Sequence, residues 1–319
     1  MSFGDIKGQA QAIAFLQEYL RQDRLSPGYL FVGPEGIGKK LVALNLAKAV
    51  NCQSHSYDAC EKCPSCVKIN NNQHPDVHLI DNFDKEIKIE EIRNLEKDIG
   101  LKSYEAKIRV FIINNAHRFN SESANALLKT LEEPPPGSLI ILISDKPWLL
   151  FKTIISRCKV LRFSALRRTE LENILKHEHG LERNLAHFLA YFSEGRFGYA
   201  LRLKDTDILQ QKNMFLDTVA SSASLNLEGL NPKSKEDVRT ILNILTSYFR
   251  DIYLVKTGLA HSEIINLDRK DELLREMSRF SFTHLNRIFL GISEAMMYLE
   301  QNINVRLLVS NLDAQICKA

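Results

Sequence analysis

No stretch of this chain stays apolar for long. The longest purely aliphatic run, Leu139 to Ile143, falls far short of the roughly 20 residues that cross a bilayer. The opening MSFGDIKGQ likewise has no apolar core of the kind a signal peptide needs. A cytoplasmic location without a membrane partner is expected. An excess of charge of one sign is also missing: 42 Lys and Arg against 39 Asp and Glu leave +3. Nothing global therefore favours nucleic acid, and any DNA contact has to be local. Disulfide stapling is not expected, because four of the six cysteines crowd between Cys52 and Cys66. What remains is an ordinary globular composition, 45% hydrophobic and 25% charged, in a chain of 319 residues that is long enough for two or three domains.

The stretch YLFVGPEGIGKKL, Tyr29 to Leu41, organises the rest. Tyr29 to Val32 predict a short buried strand, Gly33 to Gly38 a glycine-punctuated loop, and Lys39 onward a helix. Gly33, Gly36 and Gly38 allow backbone N–H groups to converge on a phosphate at a helix N-terminus, with Lys39 placed to meet its outer oxygens. The next position ordinarily supplies a hydroxyl to Mg²⁺; here it is Lys40, a cation with no lone pair to offer. A second gap matches the first. The strand IRVFII, residues 108 to 113, ends in Asn114 and Asn115, where a nucleotide hydrolase places a magnesium-holding Asp and a water-orienting Glu. An amide keeps the carboxyl shape but neither holds Mg²⁺ by charge nor acts as a base.

Cys52, Cys60, Cys63 and Cys66 include two Cys-x-x-Cys steps, the turn length that lets neighbouring thiolates face one ion. A structural tetrahedral Zn²⁺ is expected, since four protein ligands leave no open position for chemistry. An iron–sulfur cluster competes because Pro64 follows Cys63, although the three-plus-one spacing is absent. Buried reduced thiols are the metal-free alternative. His55 and His74 are read as surface or packing residues rather than ligands.

Elsewhere the periodicity predicts helices over 9–22, 87–99 and 121–136, the last with Ser121 as a candidate N-cap and a stop at three prolines. Strands are expected at 139–144 and across 153–163. Strands alternating with helices imply a parallel sheet covered on both faces. Beyond residue 205 the pattern is helical, with a break at Pro232, a capping box at Ser234 and Asp237, and apolar stripes from Val238 to Ile252 and from Leu285 to Leu299.

FGDIKGQ (Phe3 to Gln9), the phosphate loop, the four-cysteine insert, ALLKTLEEPP (Ala126 to Pro135), ISRC (Ile155 to Cys158) and NINVRLLVSNL (Asn302 to Leu312) together resemble the AAA+ subunits of the bacterial sliding-clamp loader. The resemblance covers essentially the whole chain. It implies an α/β AAA+ P-loop NTPase-type parallel sheet over 1–163 carrying the zinc insert (52–66), a small helical lid over 164–205 and a C-terminal all-α collar over 206–319. The implied partners are the other loader subunits in a hetero-oligomeric pentamer, the sliding clamp, and primed DNA held through sequence-independent phosphate contacts, for instance at the helix N-terminus near Ser121.

The family contains subunits that hydrolyse ATP and a type that completes the ring without doing so. Lys40, Asn114 and Asn115 point to the second type and place ATP binding in question. So does Gly198, which stands where a motor subunit carries a sensor arginine, with Arg196 two residues earlier. The resemblance gives Arg157 of the SRC motif a role as an arginine finger on ATP bound by the adjacent subunit, against the plain alternative of a structural salt bridge. Cys158 beside it is read as a packed small hydrophobe. Two rival functions stay in view. One is a motor-type subunit turning over ATP with unconventional groups. The other is a zinc-dependent nucleic-acid-binding module, which the near-neutral charge and the lack of interleaved aromatics and cations around Cys52 to Cys66 oppose.

Overall fold

The computed structural model describes residues 1–54, 57–81, 85–221, 235–258 and 263–300. The chain divides into two compact units, one of residues 1–166 with 196–199 and the other of 167–195 with 200–319.

The first unit is built on five parallel strands: β1 (Gly28–Val32), β2 (Val77–Ile80), β3 (Arg109–Ile113), β4 (Ser138–Ser144) and β5 (Lys159–Arg162). Their order in the sheet is β2-β3-β4-β1-β5. Central parallel strands are covered on both faces and read as continuous apolar runs. Accordingly β1 and β3 are buried at every position, while the edge strands β2 and β5 are only partly covered.

The two-residue pleat sorts these side chains onto two cores. Tyr29, Phe31, Val110, Ile112 and Ile141 pack with Leu16 of α1 (Ala10–Arg21) and with Val42 and Leu46 of α2 (Lys39–Asn51). Leu30, Val32, Phe111, Ile140 and Leu142 pack on the other side. There they meet Ile92 and Leu95 of α4 (Ile89–Ile99) and Leu127 of α5 (Ser121–Glu132). The short α3 (Pro64–Asn70) belongs to the cysteine insert.

Three local expectations shift. The helix expected from Ile87 begins at Ile89, and Ile87 instead bridges in parallel to Phe119. The cap of α5 is Asn120, whose Oδ1 accepts from Ser123 N at 2.9 Å, which makes Ser121 the first helical residue. The segment read as one strand from Thr153 to Phe163 is a single helical turn, α6 (Lys152–Ile155), followed by β5.

The second unit is helical. It contains α7 (Arg168–His177), which packs on α8 (Arg183–Phe192), most of α9 (Phe197–Lys204), and α10 (Ile208–Ser221). In the same unit α11 (Lys235–Lys256) packs on α12 (Lys270–Glu276) and α13 (Phe282–Glu300). The expected stripes are its core: Leu242, Leu245, Phe249 and Ile252 of α11, with Leu285, Ile288, Ile292 and Leu299 of α13, are buried. The carboxylate of Asp251 pins the following loop by accepting from the backbone N–H groups of Ile265 and Asn266. Pro232, Ser234 and the segment 302–312 lie outside the described residues. Among the described residues no helix is long and apolar enough to cross a membrane.

Candidate functional site

The phosphate loop leaves β1 beside the point where the chain places β4 on one side and β5 on the other, the usual location of ligands in open parallel sheets. Gly33 is tied to the sheet by donating its N–H to Ser144 O at 3.3 Å. Its φ of 152° and its approach to Phe163, where a Cβ would stand 2.4 Å from the carbonyl oxygen, admit only glycine. Gly38 caps α2 in the left-handed region, so Lys39 and Lys40 are the first two helical residues. The architecture expected from the sequence is therefore in place.

Its polar groups are spent internally. Lys39 is 7% exposed and donates Nζ to Gly33 O at 2.5 Å and to Pro34 O at 2.6 Å. Burial pulls its pKa down to about 8, against the opposing fields of Asp145 and Glu35. Lys40 pairs with Asp81, the residue directly after β2. The other carboxylate oxygen of Asp81 accepts from Asn114 Nδ2 at 2.7 Å. The two degenerate motif positions are thus joined through one carboxylate. Asn115 takes the left-handed conformation (φ 54°) that Asn tolerates better than most residues, and caps a short turn over Ala116–Arg118. His117 Nδ1 lies 3.1 Å from Asp145 Oδ1, while burial holds its pKa below the ordinary value.

Gly198 approaches the same loop. Its N–H donates to Gly36 O at 2.7 Å, and a Cβ added there would sit 2.8 Å from that oxygen. An arginine at 198 would require the loop to move. Arg196 stacks its guanidinium over Tyr199, 4.4 Å from the ring centre.

Arg157 follows α6 and stands about one-third exposed. Its Nε donates to Glu132 Oε1 at 2.8 Å, its Nη2 reaches the same oxygen, and Nη1 donates to Thr153 O at 2.9 Å. A partly exposed pair of this kind contributes about 0–1 kcal/mol, little enough to be exchanged for a more highly charged anion. Cys158 is different: burial pushes its thiol up to about 12, in keeping with a packed, unreactive side chain.

The four insert cysteines converge, their sulfurs all lying within 4.8 Å of one another. Tetrahedral Zn²⁺ with bonds near 2.3 Å would set S···S distances of about 3.8 Å, so small adjustments suffice. Cys52 ends α2 and Cys63 caps α3, its sulfur accepting from Cys66 N at 3.5 Å, while Cys60 Sγ accepts from Cys63 N at 3.3 Å. Backbone donation from Lys62 and Cys63 lowers the Cys60 thiol to about 6, whereas burial raises Cys66 to about 12. A soft cation among the sulfurs would compensate the second. Pro64, the residue that suggested an iron–sulfur site, occupies the first position of α3, where its missing N–H costs nothing.

His74 takes no part in this cluster: its Nδ1 accepts from Asp76 N at 3.2 Å. His55 lies outside the described residues. The insert is anchored by Lys48, whose buried Nζ donates to Glu61 Oε1 at 2.5 Å, Asn70 Oδ1 at 3.0 Å and Met1 O at 2.6 Å.

Sequence reasoning missed Asp81 and Glu132. The available signal for Asp81 was its position just past a strand end; nothing local marked Glu132 as the partner of an arginine 25 residues on.

Comparison with known proteins identifies the family. The family model described as DNA polymerase III, delta subunit, matches residues 8–167, and its C-terminal counterpart matches 207–315. DNA polymerase III subunit delta' of Bacillus subtilis is 28% identical over 320 residues, covering 95% of this chain and 94% of that protein. Subunit tau of the same organism is 32% identical over 307 residues, covering 86% of this chain and 54% of its own length. In fold the chain is similar to a gamma subunit-related protein of Thermotoga maritima, with a TM-score of 0.50, 18% identity and coverage of 97% and 99% of the two chains. The chain belongs to the DNA polymerase III delta-subunit family, as a clamp-loader subunit of that polymerase.

Proposed function

We propose that this chain is the delta prime-type subunit of the loader, one that completes the ring, does not hydrolyse ATP, and presents Arg157 to ATP held by its neighbour. The observation that carries the reading is the Lys40–Asp81–Asn114 constellation. At the place where a motor subunit holds Mg²⁺ with a hydroxyl and a carboxylate, an ammonium neutralises the available carboxylate and an amide occupies its second oxygen. No base stands at Asn115 to orient water. Lys39, engaged by its own loop, supports a retained connection between strand and helix more than a catalytic lysine.

Arg157 contributes the chemistry. A guanidinium reaching a γ-phosphate from an adjoining chain stabilises the charge of the transition state, an effect on the order of 10³ to 10⁵ in rate. The other loader subunits are the partners in this reading, and the ring acts with them on the sliding clamp and primed DNA. Zinc held by Cys52, Cys60, Cys63 and Cys66 is structural: it supplies cross-linking of the insert and no reaction step.

The test is a loader reconstituted with Arg157→Ala. Assembly is expected to survive while ATPase and clamp loading fall; unchanged loading would sink the finger. A motor-type rival is favoured only if the isolated chain hydrolyses ATP and Lys39→Ala abolishes it.

A further inference from the structure

The chain has a single tryptophan, Trp148, and it is 74% exposed. Beside it Leu149 is 55% and Phe151 39% exposed. Three large apolar side chains within four residues, all turned to solvent, are unusual on a surface with no partner. The segment carrying them is firmly held. Pro147 opens a single tight turn, Pro147–Leu149, in which Leu149 N donates to Lys146 O at 3.0 Å and Leu150 N to Pro147 O at 3.2 Å. Leu150, between Leu149 and Phe151, and Ile154, just beyond them, are both buried in the core of the sheet's second face and hold the segment down. Side chains presented on a fixed backbone lose little freedom when a partner covers them.

The same segment leads through α6 to Arg157, whose Nη1 rests on Thr153 O, two residues beyond Phe151. Lys146 and Lys152 flank the apolar residues.

We propose that Trp148, Leu149 and Phe151 are the apolar anchor by which this chain grips the neighbouring nucleotide-bearing subunit, the same neighbour to which Arg157 is presented. The choice of partner rests on the finger reading of Arg157. The chemistry divides between the two features. A finger arginine acts on charge that develops during hydrolysis, so it contributes little to holding two ground-state proteins together. Tryptophan and phenylalanine contribute buried area, and Trp is among the residues that dominate binding energy at interfaces. Such an anchor requires of the neighbour an apolar recess with carboxylates at its rim, opposite Lys146 and Lys152. Single-stranded DNA, which stacks on exposed aromatics beside lysines, fits less well, because Leu149 offers no ring to a base.

The experiment titrates the full-length chain against the purified ATP-hydrolysing subunit of the same organism. Trp148→Ser with Leu149→Ser changes two exposed side chains, and its melting temperature checks that the fold is intact. An affinity loss of about tenfold or more is expected, and an unchanged affinity overturns the anchor. Trp148 is its own reporter: its emission, taken as the difference between the complexes of wild type and Trp148→Phe, should shift to the blue on association. Absence of that shift also overturns the proposal, and quenching by oligothymidine without it would replace the protein partner with single-stranded DNA.

Measuring the ATPase of loaders reconstituted with Arg157→Ala alongside the association of the double serine variant separates the two readings. Normal ATPase in Arg157→Ala with weakened association in the double serine variant removes the finger and keeps the anchor. Lowered ATPase with undiminished association in the double serine variant removes the anchor alone.

Discussion

The Lys40 ammonium is paired with the Asp81 carboxylate, whose second oxygen accepts from Asn114 at 2.7 Å. The pair lies at the C-terminal ends of the strands, where a hydrolase collects its magnesium ligands. A site already neutralised by an ammonium repels a second cation and has no hydroxyl to coordinate it.

Magnesium dependence follows from that pairing. Any affinity of the isolated chain for ATP is expected to be the same with Mg²⁺ and with EDTA, as measured by calorimetry. Such affinity would come from Lys39, which binds phosphate only when protonated, so it should fade as pH rises through about 8. Tighter binding on adding Mg²⁺ would contradict the arrangement.

Arg157 and Glu132 allow a structural role to be separated from a catalytic one. If the arginine served only its pairing with Glu132, Glu132→Ala would reproduce Arg157→Ala. With Arg157 acting on a neighbour's nucleotide, Glu132→Ala should change stability by less than about 1 kcal/mol and leave loader ATPase intact, while Arg157→Ala lowers it. Steady-state ATPase of the two reconstituted loaders decides.

Much of the site was legible because its parts are local. The strand–loop–helix of residues 29–41, the degenerate Lys40, Asn114 and Asn115, and the two Cys-x-x-Cys steps are short patterns whose geometry follows from neighbouring residues. What escaped were pairings across the fold. Asp81 meets Lys40 and Asn114 only once β2 and β3 lie side by side in register, Ile80 opposite Ile113. Thr153, Ile154 and Ile155 favour strand by propensity, yet they form the one-turn α6, fixed by backbone bonds from Ile154 and Ile155 to Phe151 O and by burial of Ile154.

Acid sensitivity is expected at Asp76. Its fully buried carboxylate accepts from the backbone of Tyr104, Glu105 and Ala106 and from Arg109. Burial alone would push its pKa up, but these donors outweigh it and hold it at about 2. Because the folded value lies below the unfolded one of about 4, this contribution is complete above about pH 4 and is lost as pH falls towards 2. Asp76→Asn should remove that part of the acid transition. It should also destabilise the fold by about 3–5 kcal/mol, since Arg109 would be left buried without a counter-charge. Denaturant titrations of both proteins at several pH values provide the measurement.

Zinc can be tested by a substitution that separates metal binding from helix capping. Cys63 does two things: it is a member of the sulfur cluster, and it caps α3 by accepting from Cys66 N. Serine is among the better N-cap residues, so Cys63→Ser preserves the cap while exchanging a thiolate for a poor zinc ligand. A destabilisation in this variant therefore reports loss of the metal. Elemental analysis of the wild-type chain is expected to give one zinc per chain, and the serine variant little or none, with stability lower by at least about 2 kcal/mol. Chelation of the wild type should lower its melting temperature to that of the variant and leave the variant unaffected. Iron in the wild type, or a Cys63→Ser chain as stable as the parent, would exclude structural zinc. Lys48 sharpens the result, because it ties α2 to Glu61 and Asn70 on both sides of Cys63. With that anchor in place, the unfolding caused by zinc loss should centre on residues 52–66 and appear there first in hydrogen exchange.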